Sequence, residues 1–165
     1  MKMMKLLAYP ALLAASIAAA PLAADVVRAT YAPAMVVENV SPSDFATTVE
    51  NLKNQLEADG WVILTEVNLG ERLARRGVEV PEGLVLLGLT SGGQTIPLLR
   101  QDETRYVSSM MPCGVSIYGL SDGRVIVSRA NFTMMAEMME PPVSDMMRDR
   151  AAELDQTIAR ALAKD

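Results

Sequence analysis

Cys113 is the chain's single cysteine, it follows Met110-Met111-Pro112, and no histidine occurs anywhere in the 165 residues. These residue types narrow the open chemistry. Without histidine there is no Ser-His-Asp or Cys-His nucleophile pair, and acid–base work falls to carboxylates. The carboxylates show no paired spacing. Asp102 and Glu103 adjoin, while Asp25 and Asp44 stand in unrelated neighbourhoods, a pattern of solvated surface acids. What remains is sulfur. Thioethers and a thiolate are soft, polarizable donors that suit copper(I) and need no imidazole. Met134, Met135, Met138 and Met139 form a second sulfur group downstream. The candidate metal set is therefore Cys113, Met110, Met111, Met134, Met135, Met138 and Met139, with copper(I) as the ion. Zinc sites draw on several cysteines or histidines, which this chain lacks. Haem held through methionine would lack both a histidine and an attachment motif. The same sulfurs fit plainer readings. Methionine fills irregular apolar gaps, and a lone cysteine is often a small buried hydrophobe. A reactive thiol, as sulfur carrier or redox partner, is a third reading.

The compartment bears on that choice. Lys2 and Lys5 precede an apolar run over residues 6–20, followed by Pro21-Leu22-Ala23-Ala24-Asp25, the layout of a secretory signal peptide over residues 1–24. The apolar run is shorter than the roughly 20 residues that span a bilayer, and Pro10 interrupts it. Cleavage is expected within residues 20–24, and Cys113 lies too far away to carry a lipid anchor. The mature protein is thus expected to be periplasmic or secreted, with no membrane anchor. In such a compartment an odd cysteine is a free thiol, an intermolecular link or a ligand. About 140 residues remain, enough for one substantial core. We expect residues 25–40 to be an N-terminal segment carrying a candidate first strand, and residues 41–165 to be a single α+β domain. The net charge of -5 includes the leader lysines. An acidic surface repels phosphate backbones, so nucleic acid is excluded as a partner.

The elements that must position the sulfurs follow from pattern. Residues 31–40 include Met35-Val36-Val37, the candidate first strand. Ser41-Pro42-Ser43-Asp44 announces a helix, with serine as its cap, proline at its first position and an acid in its first turn, and Phe45, Val49, Leu52 and Leu56 give it one buried stripe before Gly60. Residues 61–67 are β-branched and aromatic, a strand. Asn68 caps a short helix whose arginines favour its C-terminal end and which Gly77 closes in the left-handed conformation. Residues 83–89 form an apolar central strand, bounded by Pro81 and by Ser91-Gly92-Gly93, read as a turn since it lacks a P-loop's lysine and spacing. Residues 95–109 carry no clear pattern beyond a helical turn at Ile96-Pro97-Leu98-Leu99. Residues 114–118 and 124–129 form a hairpin around Asp122-Gly123. Asn131 caps a short helix over residues 132–139, broken by Pro141-Pro142. A final helix over residues 143–162 buries Val143, Met147, Ala151, Leu154, Ile158 and Leu162. Tyr106 and Tyr118 are assigned to the core. The fold class is α+β, an antiparallel sheet with helices packed on one face in the order strand-helix-four strands-helix.

Several of these pieces together resemble one known family: the helix over residues 45–60 leading into "GWVILTEVNL", then "LARRGVEVPEGLVLLGL", then "MPCGVSIYGLSDGRVIVSR". The chain is similar over residues 40–162 to the domain-of-unknown-function 302 family. Its Leu-Pro-Cys segment is matched by Met111-Pro112-Cys113. The resemblance implies a TATA-binding-protein-like fold and a family-typical position for Cys113, and carries no activity with it. The methionines over residues 134–147 exceed the family pattern.

Hairpin arithmetic places the sulfurs. If Leu120 and Arg124 flank the turn, paired positions sum to about 244, or 242 with a slip in the loop. Cys113 then lies opposite residues 129–131, near the methionine-rich segment. On a helix Met134 and Met138 share one face and Met135 and Met139 another. Strand alternation puts Cys113 with Val115 and Ile117 on the helix-covered face. The expectation is a non-enzymatic exported binding protein, with a soft metal such as copper(I) or a small apolar ligand as partner. The alternatives are a structural or interaction domain that forms a homodimer, and a thiol-based sulfur carrier.

Overall fold

The computed structural model describes residues 35–80 and 83–163. The expected leader and the part of the candidate first strand before Met35 lie outside the described residues, as does Pro81. The elements are β1 (Val36–Ser41), α1 (Phe45–Ala58), β2 (Val62–Asn68), α2 (Leu69–Ala74), β3 (Leu84–Thr90), α3 (Gly92–Leu99), a 3-10 turn (Arg105–Met110), β4 (Cys113–Gly119), β5 (Val125–Ala130), α4 (Phe132–Ala136) and α5 (Val143–Leu162). The strands make one antiparallel sheet in the order β1-β5-β4-β3-β2. The fold is the expected α+β arrangement, with α1 and α5 packed together over one face and short helices inserted between strands. The hairpin register is Val115 opposite Arg129 and Ile117 opposite Val127, the sum expected from the turn.

Side chains that alternate along the strands explain why one face is covered. Val85, Leu87 and Leu89 of β3, Val115 and Ile117 of β4, and Val125 and Val127 of β5 meet Leu52 and Leu56 of α1 and Leu154 and Ile158 of α5. Burying each of these large side chains stabilises the fold by about 1.5–3 kcal/mol. A second cluster lies beyond the sheet end, where Leu98, Val107, Phe132 and Ala136 pack on Val143, Met147 and Ala151. Helix α5 therefore serves both clusters, its first half the second and its last half the first. Arg129 projects from β5 among these apolar groups and is buried. It is held because Nη1 donates to Asn39 Oδ1 at 2.8 Å and Nε to Asp155 Oδ1 at 2.7 Å, joining β1, β5 and α5.

Four local expectations are corrected. The cap of α1 is Asp44, whose carboxylate accepts from Thr47 N at 2.9 Å. Ser41 is unavailable for that role because it ends β1 and its hydroxyl pairs with Thr48 Oγ1 at 2.7 Å. Ser91-Gly92-Gly93 opens α3 instead of forming a turn, with Thr95 Oγ1 donating to Ser91 O at 3.2 Å and Leu98 anchoring the helix in the second cluster. Helix α4 stops at Ala136, and the next amides bond three residues back, Met138 N to Met135 O and Met139 N to Ala136 O. The chain tightens before Pro141, so Met134/Met138 and Met135/Met139 are not stacked on one α-helical face. Tyr106 is half-exposed on the 3-10 turn, and Tyr118 is only partly buried, with its hydroxyl bonded to Glu38 on the sheet's other face. Elsewhere Asn68 and Asn131 cap α2 and α4 as expected, and Gly77 has φ +78°.

Candidate functional site

At the junction of the two clusters lies a cavity of about 40 Å³. Cys113 packs against both clusters and lines this cavity with Met110 and Met111. Three local features deliver these residues. Met110 ends the 3-10 turn and Met111 follows it in extended conformation, and both line the cavity from one connection. Cys113 begins β4 and is paired with Leu89 of β3. Between them Pro112 lies over Gly88, where a Cβ would come within 2.8 Å of Pro112 Cγ and 2.3 Å of Thr65 Oγ1. The bare backbone of β3 at this point is what lets the Met111-Pro112-Cys113 stretch settle on the sheet.

The remaining wall comes from parts of the chain far away in sequence. Trp61 and Leu89 contribute from the sheet side, Val107 from the 3-10 turn, Phe132 from α4, and Met146, Met147 and Arg150 from α5. The Cys113 thiol is free and half-buried. Burial pushes its pKa up from the ordinary thiol value, and the nearby Arg150 guanidinium opposes that shift only in part. The group at rest is a thiol, poorly suited to act as a nucleophile.

Arg150 is the polar feature of the cavity. Its guanidinium carbon lies 5.9 Å from the Trp61 ring centre. Nη1 donates to Ser91 Oγ, which is why Ser91 gives α3 no side-chain cap. Nη1 and Nη2 reach the Glu153 carboxylate at 2.7 and 2.8 Å. The side chain is 13% exposed, and Nε is buried without a hydrogen-bond partner.

Of the sulfurs expected to form a site, Cys113, Met110 and Met111 come together here. Met134, Met135, Met138 and Met139 do not line this cavity. Met135 and Met139 pack in the second cluster, Met139 Sδ lies 3.9 Å from Tyr106 Oη, Met134 is half-buried and Met138 is 70% exposed. Met146 and Met147 take their place. Met147 was legible only as part of the apolar stripe of α5. Arg150 and Trp61 left no local signal, since Arg150 meets Ser91 across 59 residues of chain. Among the described residues no group of three or more His, Cys, Asp or Glu is placed to hold a metal, and no helix is long and apolar enough to cross a membrane. The donors that do converge are a thiol and thioethers, a set that suits a soft ion or a small polarizable ligand.

Comparison with known proteins agrees with this fold. A crystal structure of an uncharacterized conserved protein DUF302 from Bacillus stearothermophilus superposes with a TM-score of 0.68 at 20% identity, covering 76% of this chain and 97% of that one. Among curated proteins none matches the chain. The family described as "Domain of unknown function DUF302" matches residues 37–164, from β1 to the end of α5, and the chain belongs to that family.

Proposed function

We propose that this protein is an exported, non-enzymatic binding protein that holds a soft metal, copper(I), through Cys113 with Met110, Met111 and the α5 methionines. The observation that carries the proposal is the convergence of Cys113, Met110, Met111, Met146 and Met147 on one small cavity. Its volume of about 40 Å³ supports an ion over an organic ligand. Cavities that take up benzene run to about 150 Å³. Loading requires loss of the Cys113 proton, and the thiolate–copper(I) pair that results is neutral overall. Arg150 opposes a bare cation but favours the thiolate, so metal and deprotonation are coupled. The leader-like residues 1–24 support export.

Anaerobic titration with copper(I) against a competing chelator tests the proposal. Parent protein and Met138→Leu should bind alike, since Met138 stands away from the cavity, and Cys113→Ser should bind far more weakly. Equal affinity for the parent and Cys113→Ser would reject it.

A second reading, self-association through the sheet, has its own observation. The face opposite α1 and α5 carries Val36, Leu86, Gly114, Ser116, Ser128 and Ala130 along an open groove, and Val40 and Leu86 on it are exposed. Contiguous exposed apolar surface marks interaction sites. Light scattering of the metal-free protein separates the readings, because a sheet-mediated dimer needs no copper and persists in Cys113→Ser.

A further inference from the structure

The face of the sheet turned away from α1 and α5 carries little charge. Glu38, Ser128, Ser116 and Leu86 line up across it from β1 to β3, through β5 and β4. An antiparallel sheet with one solvated face ordinarily alternates apolar inward and polar outward residues. Here Glu38 is the only charged residue among the outward positions of β1, β5, β4 and β3, and its carboxylate takes the Tyr118 hydroxyl. Beside that bond lies an open apolar groove of about 420 Å³. Met35 and Val36, where the chain enters β1, form one wall and Leu86 of β3 the other. Gly114, Ser116, Ser128 and Ala130 of β4 and β5 are the floor. At Gly114 the floor is uncovered, since a Cβ built there meets no atom within 4 Å among the described residues.

We infer that the occupant of this groove is the chain's own segment before Met35: residues 30–34 turn back from the wall and lie across the floor, bringing the Tyr31 ring against Leu86. Position, reach and composition select this segment. Met35 O accepts from Asn131 N at 2.9 Å and Val36 pairs with Ala130, the last residue of β5, so β5 offers the chain before Met35 no further strand to follow. Pro33 has no N–H to give a ladder. From β1 to β3 is three strand spacings, about 14 Å. Four extended residues reach about 13–14 Å, which carries Tyr31 from the Met35 wall to the Leu86 wall. Thr30-Tyr31-Ala32-Pro33-Ala34 is uncharged, matching the groove. Because the segment is tethered at the groove's own wall, its effective concentration there is on the order of millimolar, an advantage no free partner has.

The inference does not rest on copper binding, because Cys113 packs toward the helices and the groove faces away from them. A sheet-mediated dimer would need the same groove and is the rival outcome. Chymotrypsin cleavage after Tyr31 in the mature chain from residue 25, followed by the mass of the released N-terminal fragment, tests it. The cut should be about tenfold slower in the folded parent than in a synthetic peptide of residues 25–37, since cleavage tracks the undocked population. Gly114→Val puts a side chain into open space on a central strand that suits valine, and should restore fast cleavage in a folded protein. Ser128→Lys, on the other strand of the floor, should do the same and serves where Gly114→Val does not fold. Tyr31→Ala should lower the urea midpoint of the parent and leave that of either floor variant unchanged. A parent cut at the peptide's rate, protection retained in the folded floor variants, or an equal Tyr31→Ala loss in both backgrounds overturns the inference. Protection that rises with protein concentration assigns the groove to a second copy and overturns it too.

Discussion

Gly88→Ala tests whether the sheet positions the sulfur site through Pro112. The substitution adds one methyl on β3, and that carbon would lie 2.3 Å from Thr65 Oγ1, 2.8 Å from Pro112 Cγ and 3.2 Å from Pro112 Cβ. Two effects of opposite sign compete. Alanine is the better strand residue than glycine by about 0.5–1 kcal/mol. Overpacking costs about 1–3 kcal/mol when the neighbours must move. Thr65 is an exposed side chain on β2 and turns aside with little cost. Pro112 is a ring tied between Met111 and Cys113, and it can yield only by lifting the start of β4. The steric effect therefore wins, and a net loss of about 1–2 kcal/mol is expected. Urea denaturation of parent, Gly88→Ala, Pro112→Ala and the double variant measures it. The cycle should show favourable coupling, with the double variant losing less than the two single losses added. A Gly88→Ala protein as stable as the parent or more so would refute the reasoning. Relief by Thr65→Ala in place of Pro112→Ala would move the pressure point to β2 and away from the site.

Other perturbations probe the frame around the cavity. Asp59, at the end of α1, accepts from Arg160 Nη2 of α5 at 2.6 Å and from Gln55 Nε2 at 2.9 Å, with Thr157 also bonded to it, and these donors lower its pKa from 3.8 to about 2. A depressed carboxylate pKa adds stability above the unfolded value, near pH 4, and that stability fades as pH falls through about 2. The shift sets an upper bound of about 2.5 kcal/mol, and solvent screening at this surface position reduces it to about 1 kcal/mol. Asp59→Asn should therefore lose about 1 kcal/mol at pH 6 and nothing at pH 1.5, so a deficit equal at both pH values in chemical unfolding would contradict the linkage. Arg129→Met removes the hydrogen bonds to Asn39 and Asp155 but leaves Asp155 half-exposed and free to hydrate, so a loss of about 1–3 kcal/mol is expected by urea denaturation, short of the cost of an abandoned buried charge. No measurable loss would show that the link across β1, β5 and α5 is idle. Cys113 in the folded protein should react slowly with iodoacetamide at pH 8, and its rate should keep climbing past pH 9, because burial raises its pKa. A rate that levels off below pH 9 would contradict the placement of the thiol.

The layout of the sheet and its two long helices was readable because strong local patterns carried it. The β-branched run at β2, the apolar run at β3, the Asp122-Gly123 turn with Gly123 at φ +86°, and the six-position stripe of α5 each fix an element without help from distant residues. The register of the hairpin followed from the turn alone, and strand alternation put Cys113 on the covered face with Val115 and Ile117. Reading failed where tertiary contacts overrode local preference. Two glycines open α3 because Ser91 is held by Arg150 and Leu98 is buried, neither of which is visible within residues 91–99. The methionines of α4 misled for a related reason: their number drew attention, yet the chain tightens at Ala136 and turns them elsewhere. The residues that complete the cavity, Trp61 and Arg150, belong to segments whose meeting only the packing of α5 on the sheet decides.

Whether the sulfurs at this junction are packing or a site turns on Arg150 more than on the sulfurs themselves. Methionine at the junction of two clusters needs no functional explanation, since its flexible side chain fills the irregular gap where sheet and helical packing meet. A half-buried cysteine at a strand start needs none either. A core assembled for stability alone has little use for an arginine at the next helical turn after Met147, because burying a guanidinium with an unmet N–H costs more than a leucine in the same place. Ser91, Glu153 and Trp61 hold that group rigidly beside the thiol. Such fixing lowers the entropy lost when a ligand arrives, while the methionines opposite remain free to repack around it. On the proposed reading the cation favours the Cys113 thiolate that loading requires, so Arg150→Met should leave a stable core that binds copper(I) more weakly.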